Sequence, residues 1–371
     1  FRQIHTLSKS NLNAERSAHN IPGGRAFKMY EGFPELNLQL SVKADYISNP
    51  DWYYNVEYKE ERRRAYESAE DLFVPGYFEL PLKKGQSIIF SASTNVESPA
   101  GLSSRFDNYL EARSPRDSFE SCLKIASKQF LISEGESMSI YAGYPWLDKN
   151  SRETLLALPG ITLYGLDDKK RFHKVLEDFV KREGNIPDSG GLKPDVPLWL
   201  IWNIQQMTIY KGSKSSVWKE SAEIIKTILS HYKNTKEGDT VVLHGNGLLW
   251  AEKRGTALSW MDAYVNGKPV TERSGYQVEL NSLWYNAVSF AVELARGARD
   301  KAFVEEWEPV QGLIAKSFNK AFWIEQGDYL ADYVGHEGQN KCVRPNQLFA
   351  CSFPYSPITD VQKSKVLKRI Q

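Results

Sequence analysis

Apolar residues in the first ninety-odd positions come in short alternating runs. Leu36, Leu38, Leu40 and Val42 alternate with Asn37, Gln39 and Ser41, the period of a strand with one buried face. A second apolar cluster, Ser87 to Ser91, is also bounded by Gly, Pro and Asn breakers, so residues 1–96 read as a β-sandwich domain or part of one. The exception is 57–71, dense in charge, which reads as a short helix or an irregular excursion with a solvated face. Residues 97–116 read as a linker.

Beyond it the period lengthens to that of helices. The first is expected over Asp117 to Phe130, with Phe119, Leu123, Ile125, Ala126 and Phe130 on overlapping faces. Others follow over Arg152–Leu163, Lys169–Arg182, Val196–Tyr210, Trp218–Lys233, Glu279–Arg296, Phe303–Asn319, near Pro345–Ala350, and from Thr359 to the end. Long loops rich in Gly and aromatics separate them at 141–151, 188–195, 244–275 and 331–343. Loops of that length in a compact domain usually carry function, and paired helices with decorated loops suit a helical toroid whose loops converge on one pocket over 117–371.

Composition narrows the function. Forty-seven basic against 46 acidic side chains leave a net charge of +1, so no whole-chain field attracts nucleic acid or an anionic bilayer. No apolar run approaches the length of a membrane span. Ten Trp and 19 Tyr make the chain aromatic, which fits either a large aromatic core or rings stacked on sugars. Cys122, Cys342 and Cys351 form neither a disulfide framework nor a zinc pattern, which points to a reducing cytoplasm. The chain starts with Phe1 and without a signal peptide, so it is expected to begin inside a longer gene product.

Four segments can carry chemistry. They are Ala142-Gly143-Tyr144-Pro145-Trp146 with Arg152-Glu153, then Ser259-Trp260-Met261-Asp262, then Val278 to Asn286, and Arg344 to Ala350. A carboxylate beside an aromatic ring, as at Asp262, is where burial can raise a carboxyl into the range of a general acid; an exposed loop aspartate is the plainer reading. Polar residues interrupt both later helical patterns, and a cap or a satisfied buried amide explains each one singly. Nucleotide, zinc-protease and serine-hydrolase motifs are absent and the histidines lack metal-ligand spacing. Paired carboxylates hydrolysing a glycosidic bond remain, and they need no cofactor and no metal.

Taken together in order, these segments resemble the bacterial and archaeal glycogen debranching enzymes. In the N-terminal part the similarity rests on Trp52-Tyr53-Tyr54-Asn55, Tyr58, Glu60-Glu61, Glu70-Asp71 and Pro75-Gly76. In the helical part it rests on the AGYPW segment with Arg152 and Thr154–Gly160, on Trp260-Met261-Asp262-Ala263, on VELNSLWYNA from Val278, and on RPNQLFA from Arg344. The resemblance implies an (α/α)6 toroid amylo-α-1,6-glucosidase domain behind a partial β-sandwich. Its substrate would be a branched α-glucan such as glycogen or limit dextrin, or a maltooligosaccharide. It further implies Asp262 as the general acid, Arg152 and Glu153 as holders of the terminal glucose, and Trp146 and Trp260 as walls. Asp195, Trp199, Glu279, Asn281, Trp284, Arg344, Asn346 and Gln347 are implied to line or support the pocket. The family has Asp at the position of Glu153 and Thr at that of Ser259. The segment bearing the catalytic base is expected beyond Gln371, leaving the toroid without its last helices and these 371 residues inactive by themselves. Two other readings stay open: a hydrolase of another α-glucoside on the same fold, and a non-catalytic glucan-binding protein.

Overall fold

A computed structural model describes residues 7–63, 67–113, 115–143, 147–184 and 193–371, and the chain divides into two units, 1–122 and 123–371.

The N-terminal unit is mostly antiparallel β structure. A four-stranded sheet runs Ala18–Ile21, Gly24–Phe27, Leu36–Leu40, Phe90–Ser93 in spatial order, and a long hairpin pairs Asp45–Glu57 with Ala69–Glu79. The expected burial of the leucine face at Leu36–Leu40 is corrected: Leu40 is buried but Leu36 and Leu38 only partly, and the polar Asn37 and Gln39 are buried instead, Gln39 held by Pro22 O (2.6 Å), Glu97 O (2.7 Å) and the Glu97 N–H (2.7 Å). Phe27 meets Tyr46 edge-on, bringing the sheet and hairpin together. The charge-dense stretch is a short helix, α1 (Lys59–Arg63), with no buried residue. Over the segment read as a linker, a 3-10 turn at Pro99–Gly101 leads into α2 (Leu102–Glu111), which buries Leu102.

The boundary between units falls within α3 (Phe119–Phe130). The C-terminal unit then continues with a hairpin, Leu131–Glu134 against Ser137–Gly143, and the helices α4 (Ser151–Pro159), α5 (Lys169–Glu183), α6 (Val196–Lys211), α7 (Lys214–Lys233), α8 (Val278–Gly297), α9 (Lys301–Phe322), α10 (Leu348–Ser352) and α11 (Asp360–Ile370). Helix α4 stops at Pro159 rather than Leu163, and the chain continues to Gly165 as a wider π turn.

Consecutive helices pack as pairs: α6 on α7, α7 on α8, α8 on α9, with α6 also on α4 and α8. Helix α8 buries 16 of its 20 residues, as a helix apolar on all sides must. Its polar positions are satisfied locally: Ser282 donates to Val278 O and Asn286 pairs with Gln205.

The two longest loops are not featureless. They supply most of a five-stranded antiparallel sheet ordered 241–243, 249–251, 275–277, 333–335, 338–339, plus a small hairpin at 264–269. The expectation of a helical downstream region is corrected here: strand 275–277 pairs with 249–251 and with 333–335, partners more than 20 residues away, contacts that no local periodicity records.

Candidate carbohydrate site

Three helices begin at one place. Asn150 caps α4 by accepting the Arg152 N–H at 3.2 Å, Asp195 occupies the cap position of α6, and Gln277 precedes α8. The caps put Arg152, Asp195 and Glu279 within one turn of their helix starts. Arg152 is almost wholly buried and grips Asp195 with two bonds, Nε to Oδ2 at 2.7 Å and Nη2 to Oδ1 at 2.9 Å. Its remaining Nη1 donates to Asp262 Oδ2 at 3.0 Å. Burial pulls the Arg152 guanidinium toward neutrality, but Asp195 and then Asp262 outweigh it and raise its pKa above the usual arginine value.

The Arg152–Asp195 pair is close to charge-neutral, so Asp262 meets an oriented N–H donor rather than an uncompensated cation. Its side chain is 46% exposed, which leaves one edge of the carboxyl open to a substrate.

Beside this pair lies a cavity of about 190 Å³ lined by Leu156, Asp195, Trp199, Trp260, Glu279, Leu280, Leu283 and Phe349. That is below the roughly 300–1,000 Å³ of drug-sized sites and suits a single sugar ring. Trp199 donates its indole N–H to Asp195 Oδ2 at 3.1 Å and is buried edge-on against Trp202 and Phe349. Trp260 is 43% exposed, while its N–H is fixed on Asn346 Oδ1 at 2.8 Å. An anchored, half-open indole beside polar groups is a surface on which a sugar face can stack.

A second cationic centre adjoins the first. The buried Arg273 pairs with both oxygens of Glu279, with both oxygens of Asp332 (2.9 and 3.1 Å), and donates to Ser259 Oγ at 3.3 Å. Desolvation opposes its charge, but Glu279 and Asp332 prevail and raise its pKa. Arg344 and Asn346 complete the ring around Asp332.

Residues 125–371 match the amylo-alpha-1,6-glucosidase family, and residues 1–89 match the glycogen debranching enzyme N-terminal family. The chain belongs to the glycogen debranching enzyme family. Among solved structures it is similar to a GH78 family rhamnosidase of Bacillus sp. GL1, with TM-score 0.51 and 12% identity over 97% of this chain. The chain spans 39% of that protein's length. A rhamnosidase from Klebsiella oxytoca with rhamnose bound aligns at TM-score 0.46 and 10% identity, over 94% of this chain and 71% of that one. No curated protein matches significantly. The family matches support a glycoside hydrolase with a carbohydrate substrate. No helix among the described residues is long and apolar enough to cross a membrane.

Against this debranching-family frame the expected residues separate into groups. Asp195, Trp199, Trp260 and Glu279 line the cavity; Arg152 bonds Asp195 and Asp262, and Asn346 accepts the Trp260 indole N–H. Glu153 is half-buried in the first turn of α4, and its Oε2 is buried without a hydrogen-bond partner among the described residues. Trp146 lies outside the described residues. Asn281 and Trp284 are not cavity walls: Asn281 pins strand 249–251 to α8 through the Leu249 N–H (2.8 Å) and O (3.0 Å). Trp284 is fully buried between Tyr232 and Trp307, its N–H on Gly247 O. Arg344 reaches Asp332, and Gln347 holds the Leu330 N–H at 3.1 Å. The motifs did not include Arg273 or Asp332. Both stand in the long loops that sequence length alone had singled out, as isolated charges without periodic signal.

Proposed function

We propose that the chain carries the glucosidase site of a debranching enzyme, releasing single α-1,6-linked glucose residues at branch points of glycogen or a related α-glucan with inversion. The observation that carries this reading is the Arg152 bridge from Asp195, which lines a cavity walled by Trp199 and Trp260, to the half-exposed Asp262. Asp262 donates a proton to the leaving glycosidic oxygen, and Arg152 orients it. An inverting site needs a second carboxylate about 6.5–9.5 Å away with a water between. Asp195, Glu279 and Asp332 are each engaged by a buried arginine, which suits them to holding the site rather than accepting a proton. The proton acceptor is therefore proposed to be a carboxylate other than these three.

The test is glucose release from an α-1,6-branched limit dextrin by the wild-type protein and its Asp262→Asn variant, with a linear maltooligosaccharide as comparison. Release by the wild type and not by the variant supports the proposal. Binding of oligosaccharide without turnover by the full-length protein refutes it, as does preference for the linear substrate.

A further inference from the structure

Four consecutive residues, Ser259 to Asp262, are held by three side chains, Arg273, Asn346 and Arg152. Ser259 Oγ accepts from Arg273 Nη1 at 3.3 Å, the Trp260 N–H goes to Asn346 Oδ1 at 2.8 Å, Met261 Sδ lies 3.3 Å from Asn346 Nδ2, and Asp262 accepts from Arg152 at 3.0 Å. Three of these four holds trace back to one side chain. Asp332, fully buried, binds Arg273 at 2.9 Å and Asn346 Nδ2 at 2.6 Å, and also pairs with Arg344.

The chemistry of Asp332 dictates the direction of the whole set. An ionised carboxylate only accepts, so the Asn346 amide must turn its NH2 toward Asp332. That leaves the amide oxygen facing the Trp260 indole N–H, and the second amide hydrogen facing the Met261 sulfur. Every hydrogen-bonding capacity of the amide that the geometry reaches is then used, and the flipped amide would set oxygen against oxygen. Charge closes as well: Arg273 and Arg344 offset Glu279 and Asp332.

We infer that Asp332, which does not line the cavity, is the positioning residue for the Ser259–Met261 segment, setting Ser259 through Arg273 and the stacking indole of Trp260 through Asn346, and with them the backbone that carries the proton donor Asp262. The inference rests on the reading of Asp262 as the acid.

Hydrogen exchange and kinetics of the full-length protein test it together. In Asp332→Asn the neutral amide no longer dictates the Asn346 orientation, so exchange at 259–262 should quicken while α8 keeps its protection. Misplacing the donor lowers kcat by on the order of 10²-fold with a smaller change in KM. Asn346→Ala, which leaves both arginine pairs intact, covers the case in which Asp332→Asn does not fold. It should loosen the same segment, and the double variant should add little to either single one. Unchanged exchange at 259–262 in Asn346→Ala overturns the inference, as does loosening spread evenly over the unit. A wild-type protein without glucosidase activity sinks the functional reading instead, and the exchange result still decides the positioning.

Discussion

Arg152 and Asp262 stand 110 positions apart in the chain, yet Nη1 of one lies 3.0 Å from Oδ2 of the other, while the same guanidinium holds Asp195 with its other two nitrogens. One buried cation thus serves a structural pair and an open one. The two carboxylates should respond to mutation in opposite ways.

Asp262→Asn removes the proton donor but breaks only a half-exposed ion pair, of a kind whose contribution to stability is about 0–1 kcal/mol. Glucose release by the full-length protein should fall by on the order of 10²–10⁴-fold. Its melting temperature should stay within a few degrees of wild type, and a large drop would mean that the residue is structural.

Asp195→Asn leaves Arg152 buried with no bidentate partner, and breaking a buried pair from one side costs about 3–5 kcal/mol. Urea unfolding should show a loss of that order. A stability equal to wild type would show that Asp262 alone suffices to compensate Arg152.

The two tryptophans flanking the motifs divide similarly. Trp284→Ala opens a hole between Tyr232 and Trp307 and should destabilise by about 3–5 kcal/mol. Trp260→Ala should leave unfolding nearly unchanged and weaken oligosaccharide binding, which titration calorimetry measures. Reversed effects would move the sugar surface away from Trp260.

Asp178 supplies the acid dependence. Burial alone would raise its carboxyl, but the Met138 N–H at 2.8 Å and Lys174 at 3.0 Å outweigh it, so its folded-state pKa lies below the ordinary value. A depressed carboxyl stabilises above the unfolded-state pKa of about 3.9, and the contribution disappears as pH falls through the folded-state value. Asp178→Asn should therefore be less stable than wild type at pH 7, with the gap narrowing as pH drops below about 4. A gap independent of pH would assign the loss to packing alone.

Much of the helical framework was readable in the residues. The runs that became α5, α6 and α8 carry their period locally, because the i to i+4 geometry of a helix is set by neighbours in sequence, whereas the helix expected over Arg152–Leu163 stops at Pro159. Arg152, Trp260, Asp262 and Asn346 were singled out by four segments that resemble one family in one order; taken singly, each segment had a plainer reading.

Sequence alone could not separate wall from scaffold. Asn281 and Trp284 belong to the same striking-out of the helical pattern as Glu279, yet only Glu279 faces the cavity, since α8 is enclosed on all sides and any polar residue on it must find a partner. Arg273 and Asp332 left no pattern at all. Their roles arise from strands 275–277 and 333–335 pairing across more than 50 residues, which brings isolated loop charges into a closed, neutral ring. Local periodicity determined which segments fold as helices; tertiary pairing decided which charges meet, because the free energy of a buried ion pair depends on distances that only the assembled chain defines.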